Sequence, residues 1–235
     1  MGKEFKIVHE SEIDGTPQQV FDAATLGNSG WMWPMEIEPK LGGAGPFGSS
    51  VTVWEPPHRF ANHMDGEDGF FNTLEYEITE RPGGKSWLRY VHSGMFMDNW
   101  DSQYDGAAKH TAFYQHTLGQ YVKYFSGKQA AFADVQGPAA SGAADAFATV
   151  KSALGATKAG ESVTVTIPGL GAEEAVVDYV SEHFLGLRTA DAMYRFFGRN
   201  AFGAVVGMTI HLFADGADAD AAGAAWGAWL NGLYA

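Results

Sequence analysis

The side chains with the widest chemical range in this chain are eight histidines: His9, His58, His63, His92, His110, His116, His183 and His211. Histidine titrates near neutral pH and can serve as general base or metal ligand. None of the eight stands in HExxH or another compact ligand pair, so a metal site would have to be assembled in space. His63 and His92 fall in strand-like segments and are the two candidates for a base. Asp215, Asp218 and Asp220 have the spacing that opens a calcium loop, but no Glu stands where the twelfth ligand would fall. Helix capping accounts for them better. The chain has no cysteine, which excludes thiol nucleophiles, disulfides and Cys-based zinc sites. It has no GxSxG and no Walker motif. Gly43, Gly45 and Gly48 have GxGxxG spacing. A dinucleotide site needs a strand before that pattern and a helix after it; here a strand follows and Pro46 interrupts, so the stretch reads as a loop. Arg188, Arg195 and Arg199 would bind an anionic group if buried, or form surface ion pairs.

Chemistry of a softer kind comes from aromatic surface. Seven Trp, nine Tyr and sixteen Phe are enough to line a concave site as well as fill a core. Trp31-Met32-Trp33-Pro34-Met35 is a bulky, adaptable cluster beside a turn, suited to a binding surface or to a plug between layers.

These residues need elements to hold them. His110 to Phe125 carries apolar or aromatic side chains at Phe113, Tyr114, Thr117, Leu118, Tyr121, Val122 and Phe125, the pattern of a helix with one buried stripe. Ahead of it, residues 4–13 alternate as a strand. Thr16 as N-cap, Pro17 at the first helical position and Gln19 predict a short helix. Val51 to Trp54 is a strand stopped by Pro56-Pro57, and Arg59 to Met64 is a second. Phe70 to Glu80 and Ser86 to Ser93 form a hairpin around Arg81-Pro82-Gly83-Gly84. Leu74, Tyr76 and Ile78 point inward, and Trp87 and His92 lie on opposite faces. Asp98 to Asp105 reads as a polar loop. A sheet with one apolar face needs a second layer, and the helix supplies it. The expected class is α+β, a curved antiparallel sheet around a long C-terminal helix with a cavity between them.

That order of elements resembles the START-like, helix-grip superfamily (SRPBCC). More narrowly, it is similar to the activator of heat-shock-protein ATPase homologue-like family. The residues carrying the resemblance are Thr16 to Phe21, Gly48 to Arg59, His92-Ser93-Gly94, Trp100-Asp101 with Tyr104-Asp105-Gly106, and Leu118 to Phe125. It covers about residues 3–128. Where many members have a Trp before the closing helix's Leu, this chain has Ala112-Phe113-Tyr114. The resemblance implies an internal cavity for an apolar molecule. Some superfamily members are cyclases or hydrolases. The chaperone-stimulating activity belongs to members with an additional N-terminal domain that is not expected here.

The second half repeats the texture of the first. Lys128 to Gly142 reads as an Ala-, Gly- and Ser-rich separator, followed by a helix over Gly142 to Leu154. Gly160-Glu161-Ser162-Val163-Thr164-Val165-Thr166-Ile167-Pro168 then shares G-x-S-V-T-V and a later proline with Gly48 to Pro56. Val176 to Val180, Ala192 to Gly198 and Val205 to Phe213 look like further strands. Asp218 caps a last helix with Trp226, Trp229, Leu230 and Leu233 on one stripe. Two tandem helix-grip domains are expected, 1–128 and a trimmed 129–235; chance likeness of two Val-rich strands is the alternative.

Net charge is −13, without a basic patch, so neither nucleic acid nor an anionic membrane is an expected partner. No signal peptide or span is legible, and a cytoplasmic location is expected. The first functional reading is non-enzymatic binding of a small apolar or aromatic molecule, with no cofactor and no metal. The residues expected at the ligand are Trp31, Trp33, Trp54, His63, Phe70, Tyr76, Trp87, His92, Phe113, Tyr114, Thr117 and Tyr121. Two alternatives stand beside it. One is a cyclase- or hydrolase-like enzyme with His63 or His92 as base. The other is a protein-interaction module, with a homodimer left open.

Overall fold

The structure, a computed structural model, describes residues 2–235. It is α+β, with two antiparallel sheets and four helices among the described residues. The chain divides into two compact units between Lys128 and Gln129.

In the first unit β1 (Lys3–Ile13) leads through a turn into α1 (Pro17–Ala24). The capping box forms: Thr16 Oγ1 accepts from the Gln19 backbone N–H, and Gln19 Oε1 accepts from the Thr16 N–H at 2.9 Å. β2 (Ser50–Glu55), β3 (Arg59–Asp65), β4 (Phe71–Arg81) and β5 (Lys85–Phe96) then run as a meander. The sheet order is β1-β5-β4-β3-β2, so the first strand closes against the last. α2 (Trp100–Phe125) ends the unit.

α2 is longer than the sequence suggested. The expected loop Asp98 to Asp105 is helical from Trp100 onward, extending the helix to 26 residues. Its polar first turns hid it, because an exposed helix start has no apolar stripe to read. Tertiary contacts hold it instead. Trp100 Nε1 donates to the Glu4 carbonyl at 3.0 Å, and Lys3 Nζ lies 3.6 Å from the centre of the Trp100 ring.

Two layers of the first unit meet at the far end of α2. Val20 and Phe21 of α1, Leu118, Val122 and Phe125 of α2, and Ile13, Ile78 and Leu88 of the sheet are all buried. This end is solid core. The Trp100 end of α2 diverges into the space described below.

In the second unit β6 (Ala131–Gln136) is followed by α3 (Ala146–Ala153), β7 (Ser162–Ile167), β8 (Gly171–Val180), β9 (Phe184–Arg188), β10 (Ala192–Phe197), β11 (Gly207–Leu212) and α4 (Ala219–Gly232). The order β6-β11-β10-β9-β8-β7 again closes the first strand on the last. β2 and β7, which carry the shared G-x-S-V-T-V pattern, are both edge strands that turn into an antiparallel partner. Both units are thus consistent with a helix-grip arrangement.

Two sequence expectations for this half are corrected. The expected separator contains β6, whose small residues carry little strand signal and which pairs with β11 from Gly207↔Gln136 to Leu212↔Ala131. β9 was not foreseen. Gly186 interrupts its apolar run, and a Cβ there would collide with the side chains of Arg195 and Asp178. Those two form a buried ion pair, with Nη1–Oδ1 at 2.5 Å and Nη2–Oδ2 at 2.8 Å.

Candidate functional site

Along β3, β4 and β5 alternate residues face one side of the sheet. Register places Phe60, Tyr76 and Tyr90 in one row across the strands. Asn62, Leu74 and His92 form the next, and Met64, Asn72 and Gly94 the one after. Opposite them α2 presents Ala107, His110, Thr111 and Tyr114, one helical face at spacings of three and four. Between sheet and helix lies a cavity of about 540 Å³, inside the range of roughly 300–1,000 Å³ typical of small-molecule sites. Trp31, Met32 and Met35 close one side.

The turn carrying those three is built rather than draped. Asn28, buried, donates through Nδ2 to the Thr25 and Met35 carbonyls, both at 2.8 Å, and accepts from the Met35 N–H at 3.0 Å. Trp31 Nε1 donates to the Ala23 carbonyl at 2.8 Å, so the indole presents its apolar surface to the cavity. Phe47, in the Gly-rich loop, stands at the wall with 85% of its surface exposed and a left-handed backbone, φ 56°.

The wall is mostly aromatic and apolar, and it holds no Asp, Glu, Lys or Arg. Phe60 and Tyr76 have ring centres 5.9 Å apart, and Tyr76 and Tyr90 are 4.9 Å apart. Burial pushes the Tyr76 phenol up, opposed by a hydrogen bond to the Gln115 side chain. Burial, then the neighbouring Tyr76 and Tyr114, pushes the Tyr90 phenol up. His92 Nε2 donates to Asn72 Oδ1 at 2.7 Å, which fixes its tautomer, and burial pushes its pKa down to about 4. It is therefore a neutral ring at pH 7, edge-on to Phe5 at 4.9 Å. His110 Nδ1 donates to the Gly106 carbonyl at 2.8 Å.

Of the twelve residues expected at a ligand, the structure brings Trp31, Tyr76, His92 and Tyr114 to this wall. The other eight lie elsewhere. Trp33 stands behind Tyr114, ring centres 6.2 Å apart. Trp54 packs edge-on to Phe21 and Phe60, at 5.2 and 5.9 Å. His63 has the opposite parity to Asn62, and on the outer face it meets Thr73 Oγ1 at 2.7 Å and Asp65 Oδ1 at 3.0 Å. Trp87 is also on the outer face, with the Arg81 guanidinium 5.6 Å from its ring centre. Phe70 sits in the turn before β4. Phe113 and Thr117 are fully packed, and Thr117 Oγ1 is spent on the Phe113 carbonyl at 3.0 Å. Tyr121 donates to the Lys128 carbonyl at 2.9 Å, far down the helix from the cavity face.

Sequence reasoning missed Phe60, Asn62, Asn72, Tyr90, Ala107 and His110. Parity from Tyr76 and His92 would have found Asn72 and Tyr90, and helical spacing back from Tyr114 the two on α2; Phe60 and Asn62, on β3, follow only from the strand register. Among the described residues no cluster of three or more His, Asp or Glu side chains could hold a metal ion.

No family model matches the sequence, and no curated protein does. Solved structures are similar to it. The MLL2253 protein of Mesorhizobium loti is 20% identical, covers 52% of this chain and 98% of its own, and superposes with a TM-score of 0.43. The Aha1 dimer from Colwellia psychrerythraea is 15% identical over 52% of this chain and 99% of its own, TM-score 0.39. DynU16, from the dynemicin biosynthetic locus, is 13% identical over 97% of both chains, TM-score 0.43.

Proposed function

We propose that the first unit binds a small apolar or aromatic molecule in the space between its sheet and α2, without chemical change. The observation that carries this reading is the 540 Å³ cavity itself, walled by Trp31, Phe60, Leu74, Tyr76, Tyr90 and Tyr114. A gap of that size in an otherwise close-packed domain forgoes dispersion contacts that filling side chains would supply. A ligand restores them. The two units are read as tandem helix-grip copies, and only the first is assigned a ligand. In the second, Trp226 of α4 lies fully buried against Tyr194 and Phe196, ring centres 4.9 and 5.6 Å away, where a ligand would have to sit.

Binding is favoured over catalysis by the state of the two histidines expected as a base, His63 and His92. A base held at about 4 is a weak proton acceptor at neutral pH, and His63 has no line to the cavity.

The test is fluorescence titration with N-phenyl-1-naphthylamine, a neutral apolar probe. Saturable enhancement is expected. It should be abolished by Ala107→Trp, which fills the cavity from the helix side. Absence of saturable binding, or equal binding in the variant, would refute the reading.

A further inference from the structure

The cavity wall has one feature that a purely apolar container does not need. Asn62 is only 6% exposed, and this polar residue lines the cavity. A ligand that displaces water from the cavity must pair the Asn62 amide or leave it unsatisfied, which disfavours binding. Leu74 stands directly opposite on β4, and the diagonal neighbour Asn72 has its Oδ1 committed to His92. Asn72 keeps two N–H donors and one carbonyl lone pair, so the amide N–H groups of Asn62 and Asn72 both need an acceptor once a ligand dries the cavity. Tyr90, one row away on β5, adds a hydroxyl that makes no hydrogen bond to protein among the described residues.

The wall around these donors holds no Asp, Glu, Lys or Arg side chain. A buried carboxylate or phosphate would find donors but no cation, and an ion buried without a counter-charge costs several kcal/mol. A pure hydrocarbon would leave the Asn62 amide unpaired. A neutral oxygen acceptor meets both conditions.

Resting on the binding function proposed above, we infer that the cavity selects neutral aromatic molecules carrying a carbonyl or ether oxygen, with Asn62 as the residue that recognises that oxygen, and discriminates against anions of the same shape. Asn62 thus sets specificity, while the aromatic wall supplies most of the affinity. A site built to hydrogen-bond a ligand oxygen rejects analogues lacking it, because its own polar group is then left unpaired.

Three near-isosteric probes separate the cases: 2-acetylnaphthalene, 2-ethylnaphthalene and 2-naphthoate, each displacing N-phenyl-1-naphthylamine from the full chain at pH 7.5. The ketone is expected to bind at least about tenfold tighter than the carboxylate. Asn62→Leu should lower the ketone-to-hydrocarbon affinity ratio by roughly five- to tenfold, since a hydrogen bond of this kind is worth about 1 kcal/mol. A ratio within one variant does not depend on how stable that variant is. Should Asn62→Leu not fold, the wild-type protein gives the answer by NMR. The Asn62 side-chain amide resonances should move with 2-acetylnaphthalene and stay in place with 2-ethylnaphthalene. Equal affinity for the ketone and the carboxylate, an unchanged ratio in the variant, or an amide indifferent to the ketone would overturn the inference while leaving the cavity's binding role intact. Displacement by none of the three while N-phenyl-1-naphthylamine binds would overturn the inference alone; no saturable binding of the probe itself would overturn the binding role, and the inference with it.

Discussion

At the scale of single residues, several polar side chains of the first unit have a defined structural task. Asn28 ties a turn to two carbonyls and an N–H, Thr117 donates back to the Phe113 carbonyl one turn earlier in α2, and Tyr121 reaches the Lys128 carbonyl. His92 is held neutral by burial, and this has a consequence for stability. Its folded pKa, about 4, lies below the ordinary 6.5, so the fold favours the unprotonated ring. The associated stability is complete above pH 6.5 and is lost as pH falls towards 4. His9 is lowered too, by burial first and by the charge of His116 second, and acts in the same direction. The wild-type melting temperature should therefore fall between pH 6.5 and 4.5, a span set by the His92 shift. His92→Gln should remove part of that fall, on the order of 2 kcal/mol. Thermal melts across the range check it. Parallel curves for wild type and variant would mean that the ring is already solvated in the folded protein.

At the scale of elements, α2 divides its work along its length. Its C-terminal half packs into core with α1 and β1, and its N-terminal half, held to β1 through Trp100, roofs the cavity. The junction depends on close approach at Gly30, where an added methyl would run into the ring of Tyr121. That ring is buried and tethered through its hydroxyl, so it cannot step aside. Gly30→Ala should cost about 1–3 kcal/mol in a denaturant titration, and loosen the Trp31 wall with it. The solid half of this layout was legible in the sequence. The Thr16 capping box, the hairpin around Gly83-Gly84 and the stripe from Leu118 to Phe125 each rest on local periodicity or turn chemistry. The hollow half was not. Trp33, Trp54 and Trp87 drew attention by size, yet a large aromatic is equally at home behind a wall or on an outer face. The residues that shape the space, Asn62 and Ala107 among them, are ordinary by type, and only register and helical phase place them there. The first turns of α2, with Asp101, Asp105 and Gly106, look like a loop because tertiary contacts rather than helix propensity hold them.

At the scale of the whole molecule, two units wind in the same order while differing in what lies under the closing helix. In the first, α2 roofs the cavity; in the second, Trp226 of α4 is buried, with Trp229 edge-on at 5.3 Å. No described helix is long and apolar enough to cross a membrane. The central claim is countable, because the proposed function assigns one ligand place per chain, in the first unit. The most direct measurement is native mass spectrometry of the full chain in excess 2-acetylnaphthalene. The account predicts a single adduct per chain, and none in Ala107→Trp. No adduct in the wild type, or two per chain, would contradict it.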